Sequence, residues 1–194
     1  MDIEMWSSEL RWINPPALAV IESNVLKVVT GTKGDFWRDT FYGFRHDDGH
    51  AFLSPTGTEF SCEVFLSADF AAQYDQAGLM IRADEAHWIK AGIEYVNGIA
   101  HLATVVTNQK SDWSQMALLN FDGEIGLRLT RVGDAVWMHY QASGSGNWNM
   151  FRLAYFPPNL AVRAGPMACS PSRSGLTVKF WDFRLGAPES RKPY

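Results

Sequence analysis

The feature that most constrains the fold of this chain is its Asn97-Gly98 pair, which stands between two strand-like runs. Both flanks, His87–Val96 and Ile99–Thr107, are long enough for a strand and rich in apolar residues. An Asn-Gly pair in this setting is the strongest short-range signal of a β-hairpin, because both central residues of a type I′ turn need a positive φ angle. The sequence therefore predicts two antiparallel strands whose register is set by the turn.

This register predicts which side chains of the hairpin share a face. Counting outward from the turn places Glu94 opposite His101, and Trp88 and Lys90 fall on the same side because successive side chains alternate between faces. Gly92, inside the strand, indicates close approach by a ligand or by another backbone. The opposite face carries Ile89, Ala91, Ile93, Tyr95, Leu102, Thr104 and Val106. The polar face is either a solvated outer surface or the floor of a binding groove, and the large ring of Trp88 favours the groove.

The rest of the chain also predicts strands, and helical periodicity is nearly absent. Short runs of this kind, separated by Gly, Pro, Asn and Asp turns, predict an all-β fold. We expect a two-sheet antiparallel β-sandwich that forms a single domain over residues 1–194. In the last run, alternation puts Phe180 and Phe183 on opposite faces. The further runs are Val25–Thr30, His50–Leu53, Phe60–Leu66, Ala77–Arg82, Glu124–Arg131, Ala135–Gln141, Trp148–Leu153, Ala161–Met167 and Leu176–Leu185.

Composition argues against several classes of partner. The net charge is -4 and no long basic run is present, so nucleic acid is not an expected partner. No run approaches the roughly 18 apolar residues that cross a bilayer, and the N-terminus lacks the apolar segment of a secretory signal. Cys62 and Cys169 belong to no Cys-x-x-Cys pair. They are predicted to be reduced, buried thiols of a cytoplasmic protein, in preference to a disulfide or a metal site.

The run H-D-D-G-H contains residue types that can bind a divalent cation, namely His46, Asp47, Asp48 and His50. Its spacing matches no metal motif, and Asp-Asp-Gly is common in turns. We therefore predict a turn with surface histidines and no metal, with a metal site or a ligand-contacting loop as alternatives.

The run Y-D-Q-A-G-L-M-I-R is predicted to face the same groove as the hairpin, because Gln76 and Arg82 lie on one side of its strand. Asp75 and Gln76 can hydrogen-bond a polyol, and Arg82 can hold a carboxylate through two hydrogen bonds. The alternative for Arg82 is a salt bridge with Asp84 or Glu85.

Aromatic and polar side chains stand side by side in two predicted loops. One carries Asp35, Trp37 and Arg38, and the other carries Asp112 and Trp113. Carbohydrate sites are commonly built in this way. The same residues can instead cap strands and fill the core, so both interpretations stay open.

Signals of catalysis are weak. The chain has no G-x-S-x-G motif, no catalytic cysteine context and no phosphate-binding glycine loop. A glycosidase needs two carboxyl groups at a fixed separation, and Glu94 with Glu63 or Asp75 would be the candidate pair. The doublet of acids on alternate positions of one strand, typical of β-jelly-roll glucanases, is missing. An enzyme that uses Glu94 therefore stays an alternative.

Five motifs are long enough to compare with known families: D-F-W-R-D-T-F-Y-G-F, D-D-G-H, Y-D-Q-A-G-L-M-I-R, W-I-K-A-G-I-E-Y and S-D-W-S. Together they resemble an uncharacterised family that includes the regulation-of-enolase proteins, and the similarity runs from Trp12 to the F-W-D-F-R-L segment. The resemblance implies a concanavalin-A-like jelly roll and, by analogy, a regulator of a metabolic enzyme. It implies no catalytic residue. The family pattern often has a histidine where this chain has Phe41.

The predicted function is non-catalytic binding of a carbohydrate or similar polar metabolite on the concave face of the sandwich, with no cofactor. The alternatives are a cytosolic regulatory protein that binds a metabolic enzyme, and a glycoside-active enzyme that uses Glu94. The expected partner is a small polar ligand or a glycan, with a protein partner under the first alternative and no membrane. The candidate ligand-binding residues are Trp37, Arg38, His46, His50, Asp75, Gln76, Arg82, Trp88, Lys90, Glu94, His101, Asp112 and Trp113.

Overall fold

The computed structural model describes residues 6–193 and builds them into two seven-stranded antiparallel sheets and a two-stranded ribbon. The N-terminal residues 1–5, on which the secretory-signal prediction partly rests, lie outside the described residues. The first sheet has the order β1 (Arg11–Ile13), β6 (His50–Pro55), β15 (Arg163–Cys169), β8 (Gln76–Asp84), β9 (His87–Val96), β10 (Ile99–Asn108) and β11 (Lys110–Ala117). The second has the order β14 (Asn149–Tyr155), β13 (Ala135–Ala142), β12 (Glu124–Val132), β7 (Phe60–Ala68), β16 (Thr177–Gly186), β3 (Val25–Val29) and β2 (Leu18–Glu22). The ribbon pairs β4 (Phe36–Arg38) with β5 (Arg45–Asp47).

The main core lies between the two sheets, because each sheet turns one apolar set of side chains inward. Ile89 and Ile93 of β9 belong to the same buried cluster as Val64 of β7 and Leu127 of β12. The predicted all-β, two-sheet sandwich is confirmed. None of the residues that the structure describes forms a helix with the length and apolar character of a membrane span.

The predicted hairpin is confirmed in its register as well as its turn. Glu94 lies opposite His101, and Val96 lies opposite Ile99 on the far side of the turn. Asn97 and Gly98 both have positive φ angles, of 53° and 81°. The turn chemistry therefore determined which side chains of β9 face the core and which face away from it.

Both cysteines are free and buried, as predicted. Cys62 lies in the main core, and Cys169 lies in a second apolar cluster on the other side of the first sheet. Burial raises the pKa of each thiol, so both stay protonated at neutral pH.

Two expectations about strands were wrong. Phe180 and Phe183 both point into the core, because the register of β16 against β7 shifts after Trp181, with Asp182 at a φ of 50°. A β-bulge of this kind reverses the alternation. Five further strands were missed: β1, β4 and β5 have only three residues each, β11 is mostly polar, and β2 is a mostly apolar run of five residues whose signal was overlooked.

The ribbon β4–β5 lies over the outer face of the first sheet and builds the second apolar cluster there. Phe36 of β4 is fully buried in this cluster with Met80 of β8 and Trp88 of β9. The first sheet is therefore covered on both faces, by the second sheet on one and by the β4–β5 ribbon on the other. The ribbon determines where the candidate site lies.

Candidate ligand-binding site

The outer face of β8 and β9 carries four directly opposed pairs of residues. In order along the strands these are Gln76 with Glu94, Gly78 with Gly92, Met80 with Lys90, and Arg82 with Trp88. We call the end with Arg82 and Trp88 the closed end, and the end with Gln76 and Glu94 the open end. The two ends differ in how the ribbon covers them.

At the closed end the ribbon leaves no room for a ligand. Arg82 donates two hydrogen bonds, of 2.6 and 2.8 Å, to the two carboxylate oxygens of Asp47 in β5. Trp88 is only 1% exposed; it packs near Phe36, and its indole N–H donates to the backbone oxygen of Glu85. The predictions that Trp88 stacks on a ligand and that Arg82 binds a carboxylate of a ligand are therefore wrong. The alternative salt bridge of Arg82 with Asp84 or Glu85 is also wrong, because its partner is Asp47.

At the open end the ribbon and the sheet enclose a pocket of about 270 Å³. Its floor is polar and comes mainly from β8, β9 and the residue before β4. Its walls are mostly aromatic. The lining residues are Lys33, Asp35, Trp37, Tyr42, Phe44, His46, Tyr74, Gln76, Lys90, Glu94, Val105, Trp113 and Pro171.

The floor is organised around one oxygen of Asp35. Oδ1 accepts hydrogen bonds from Nζ of Lys90 at 2.7 Å, from the backbone N–H of Phe36 at 2.7 Å, and from Nε2 of Gln76 at 3.4 Å. Burial alone would lower the pKa of Lys90, but the attraction of Asp35 and Glu94 outweighs burial and the pKa is raised. Lys90, 4% exposed, is therefore a buried cation.

Glu94 is the second buried carboxyl group of the floor and is 7% exposed. Burial raises its pKa; Lys90 opposes this shift, Asp35 adds to it, and the indole N–H of Trp113 opposes it by donating to Oε2 at 2.9 Å. Trp113 thus fixes the orientation of Glu94 and forms part of the wall above it.

Beside the floor, two opposed glycines allow the backbones of β8 and β9 to lie close together. A Cβ atom built on Gly92 would lie 2.2 Å from the backbone oxygen of Ala77, and one built on Gly78 would lie 2.1 Å from that of Ala91. Gly92 was predicted to mark close approach by a ligand or by another backbone. The second alternative is confirmed, because the backbone of β8 lies against it.

Aromatic rings form the wall as a connected series. Trp37 contacts Trp113 edge-on, with ring centroids 6.4 Å apart, and contacts Tyr42 edge-on at 5.5 Å. Tyr42 stacks on Phe44 at 5.2 Å, and Phe44 meets the ring of His46 at 4.9 Å. The pocket therefore combines a charged floor with apolar walls, as small-molecule sites commonly do.

Of the residues predicted from the sequence, six line this pocket: Trp37, His46, Gln76, Lys90, Glu94 and Trp113. Asp75 does not, because it is fully buried and both its oxygens are engaged by Arg173 and by the backbone N–H groups of Ala71 and Ala72. Nor does His50, whose ring bonds to the backbone oxygen of Asn14 and the backbone N–H of Gly31. These two predictions are wrong because both side chains hold loops together.

Three more predicted residues lie outside the pocket lining. Arg38 donates to the backbone oxygen of Gln109. Asp112 accepts from Arg152 of β14, which ties the edges of the two sheets together. His101 has its predicted place opposite Glu94, but its ring bonds to the backbone oxygen of Ile99.

The H-D-D-G-H run connects β5 to β6 through Asp48 and Gly49, as the predicted turn requires, but the prediction of surface histidines is wrong for His50, which is 6% exposed. His46 and Asp47 end β5, and His50 begins β6. Asp47 binds Arg82, and Asp48 accepts the backbone N–H of Asp35. Within residues 6–193, no group of three or more His, Cys, Asp or Glu side chains is placed to hold a metal ion.

Sequence reasoning missed several lining residues. Asp35 belongs to the predicted loop that also carries Trp37 and Arg38, but it is not one of the candidate ligand-binding residues, although it organises the floor. Tyr42, Phe44 and Tyr74 were also missed. The first two belong to the same D-F-W-R-D-T-F-Y-G-F motif as Trp37, so the density of aromatics in that motif was the available signal.

Comparisons with known proteins agree with this fold. A family model described as "Protein of unknown function (DUF1349)" matches residues 12–188. Regulation of enolase protein 1 of Saccharomyces cerevisiae is 41% identical over 181 residues, which are 93% of this chain and 91% of that protein. A crystal structure of a functionally unknown protein from Saccharomyces cerevisiae has a TM-score of 0.90 at 40% identity, covering 94% of this chain and 98% of that one.

A more distant likeness shows the fold alone. A bifunctional GH43-CE protein of Bacteroides eggerthii has a TM-score of 0.71 at 17% identity, covering 95% of this chain and 24% of that one. At this identity, shared architecture carries no information about the site.

Proposed function

The chain belongs to the protein family of unknown function DUF1349, and we propose that it binds a neutral polyhydroxylated molecule, such as a sugar ring, in the pocket at the open end. The observation that carries the proposal is the unsatisfied hydrogen-bonding capacity of the floor. Among the described residues, Oδ2 of Asp35 and Oε1 of Glu94 have no hydrogen-bond partner, and Nζ of Lys90 uses one of its three N–H groups. The floor thus offers acceptors and donors together.

This mixture suits hydroxyl groups, which both donate and accept. A hydroxyl can donate to Asp35 or Glu94 and accept from Lys90 at the same time. Two lysines, Lys33 and Lys90, and two carboxyl groups, those of Asp35 and Glu94, line the pocket, so a charged ligand of either sign meets both attraction and repulsion. The Trp37 and Trp113 rings supply apolar wall for the carbon-bound face of a sugar.

The proposal is tested by calorimetric titration of the purified chain with glucose, galactose, mannose, xylose and arabinose, and with glucosamine and glucuronic acid as charged counterparts. We expect a neutral sugar to bind more tightly than its charged counterpart. Asp35→Asn and Glu94→Gln should each weaken binding about tenfold or more, since each changes a charge-assisted hydrogen bond. Glu22→Gln, which changes an exposed carboxyl group on β2, is the matched control. Absence of binding by every neutral sugar, or unchanged affinity in both pocket variants, would overturn the proposal.

A second candidate function is regulation of a metabolic enzyme through direct binding. It is favoured by the 41% identity to Regulation of enolase protein 1 over nearly the whole of both chains. Sedimentation of the purified chain with purified enolase, together with an assay of enolase turnover, tests it. We expect a complex or an altered rate under this function, and two independent species with unchanged turnover would reject it.

Glycoside hydrolysis by Glu94 is the remaining alternative. The raised pKa of Glu94 suits a proton donor, and Asp35 is the second carboxyl group in the pocket. Glu63 and Asp75 are both bound elsewhere, by Arg128 and Arg173. Release of nitrophenol from aryl glycosides that stops in a folded Glu94→Gln variant would support this function, and equal release by that variant would refute it.

A further inference from the structure

The turn between β4 and β5 exposes three aromatic side chains beside the pocket. Phe41 is 93% exposed, Tyr42 48% and Phe44 43%. We call these three residues the aromatic tip. Large apolar side chains grouped on a surface are unusual unless something binds them.

The aromatic tip is held in a defined conformation. Arg45 donates two hydrogen bonds, of 2.7 and 2.9 Å, to the carboxylate of Asp39 across the base of the turn. The backbone N–H of Gly43 donates to the oxygen of Asp39, and the indole N–H of Trp37 donates to the oxygen of Thr40. The turn is thus closed by both side-chain and backbone bonds.

Phe41 occupies an unfavourable backbone conformation in this turn. Its φ is 62°, in the left-handed region that favours glycine, and Asp39 has a φ of 61°. A bulky residue in this region raises the free energy of the folded state, and such positions cluster at ligand-binding sites. In this conformation the Phe41 ring lies in solvent, where it adds nothing to the core.

The aromatic tip is continuous with the wall of the pocket. Tyr42 and Phe44 both line the pocket, and each is about half exposed. Phe41 meets Tyr42 edge-on at 5.0 Å. A ligand that leaves the pocket along Tyr42 therefore reaches Phe41 next.

We propose that the aromatic tip is a second subsite, which binds the next ring of an oligosaccharide whose first ring occupies the pocket. The inference rests on the proposed function and adds the size of the ligand to it. The pocket volume of about 270 Å³ is small for a longer ligand, so further rings must lie outside. Exposed aromatic rings can stack against the apolar faces of those rings.

The test measures affinity against chain length. The purified full chain is titrated with glucose, maltose and maltotetraose, and with xylose, xylobiose and xylotetraose. In at least one series we expect the tetramer to bind at least tenfold more tightly than the monomer. Phe41→Gly should remove most of that gain and leave monosaccharide affinity unchanged. Because glycine accepts a positive φ, this variant should fold at least as well as the parent.

The matched control is Leu119→Ala, which removes an apolar side chain that is 82% exposed and does not line the pocket. It should leave both affinities unchanged. Equal affinity for monomer and tetramer, or a gain that survives in Phe41→Gly, would overturn the subsite and leave the proposed function standing. Failure of every sugar to bind would overturn both. If enolase binding depends on Phe41 while no tetramer shows a gain, the tip is a protein-docking surface and the subsite is rejected.

Discussion

The closed and open ends of one sheet face look alike in sequence but differ in what they leave available. Arg82 at the closed end and Lys90 near the open end are almost equally buried, at 7% and 4% exposed. Arg82 is matched by both oxygens of a single carboxylate, that of Asp47. Lys90 donates one hydrogen bond to Asp35, and its ammonium group and the carboxyl groups of Asp35 and Glu94 border a pocket. Burial alone therefore does not identify a binding residue; unsatisfied hydrogen-bonding capacity beside an open space does.

The ends also differ in side-chain volume. The closed end has Met80, Arg82 and Trp88 on its outer face, and the open end has the opposed glycines Gly78 and Gly92. Large side chains fill the space beneath the ribbon at one end. At the other end the two glycines carry no side chain, and a Cβ atom on either would clash with the backbone of the neighbouring strand.

The largest expected effect comes from adding one methyl group to the open end. Gly92→Ala places a Cβ against the backbone of β8, which cannot yield locally, so we expect a loss of about 3 kcal/mol or more in the free energy of unfolding. Gly98→Ala in the turn of the same hairpin has open space around it and only a φ penalty of about 1 kcal/mol. Urea unfolding of both variants measures the difference. Equal losses would show that the close approach of β8 and β9 does not restrict position 92 to glycine.

The next largest effect compares the two carboxylates supplied by the covering segment. Asp47→Asn leaves the buried Arg82 without its charged partner, and we expect a loss of about 3 kcal/mol in the free energy of unfolding. Asp35→Asn should cost only about 1 kcal/mol, because Glu94 still attracts Lys90 and water reaches the pocket. Chemical denaturation of the two variants gives both values. A greater loss in Asp35→Asn would mean that the open end is a structural ion cluster.

The smallest effect is a difference in pH dependence that belongs to the open end. The pKa of Glu94 is raised in the folded state, so the folded state binds its proton more tightly than the unfolded state does. The stability gained from this proton is full below the ordinary pKa of a glutamic acid and is lost as the pH rises through the raised value. Glu94→Gln should therefore become more stable relative to the parent with rising pH in that window, by at most about 1.4 kcal/mol per pH unit.

Urea unfolding of parent and variant between pH 4 and pH 8 checks this sign. The Glu22→Gln control should show no such trend, since that carboxyl group is exposed on β2. A stability difference between Glu94→Gln and the parent that stays constant with pH, or that falls as pH rises, contradicts the assignment of Glu94 as a buried acid with a raised pKa.

Much of the fold could be predicted because its signals are local. The Asn97-Gly98 turn set the register of β9 and β10, and apolar alternation placed Val64 and Leu127 in the core. The bulge after Trp181 was missed although the apolar alternation changes phase there, from Leu176, Val178 and Phe180 to Trp181, Phe183 and Leu185. The same pattern also fits a regular strand that is covered on both faces, and only the pairing shows that β16 has one extra residue opposite β7. The three-residue strands β4 and β5 were missed for a related reason, because they are too short to show periodicity.

The sequence by itself determined that Trp88, Lys90 and Glu94 share the outer face of β9, because alternation along a strand is a property of the backbone. Only the tertiary structure decided that Trp88 lies under the ribbon while Lys90 and Glu94 open into a pocket. That outcome depends on where the segment from Asp35 to Asp47 crosses β8 and β9, and this crossing is fixed by long-range contacts such as the Arg82–Asp47 and Lys90–Asp35 pairs. Contacts between residues so far apart in the chain produce no periodic pattern in the sequence, so they could not be predicted from it.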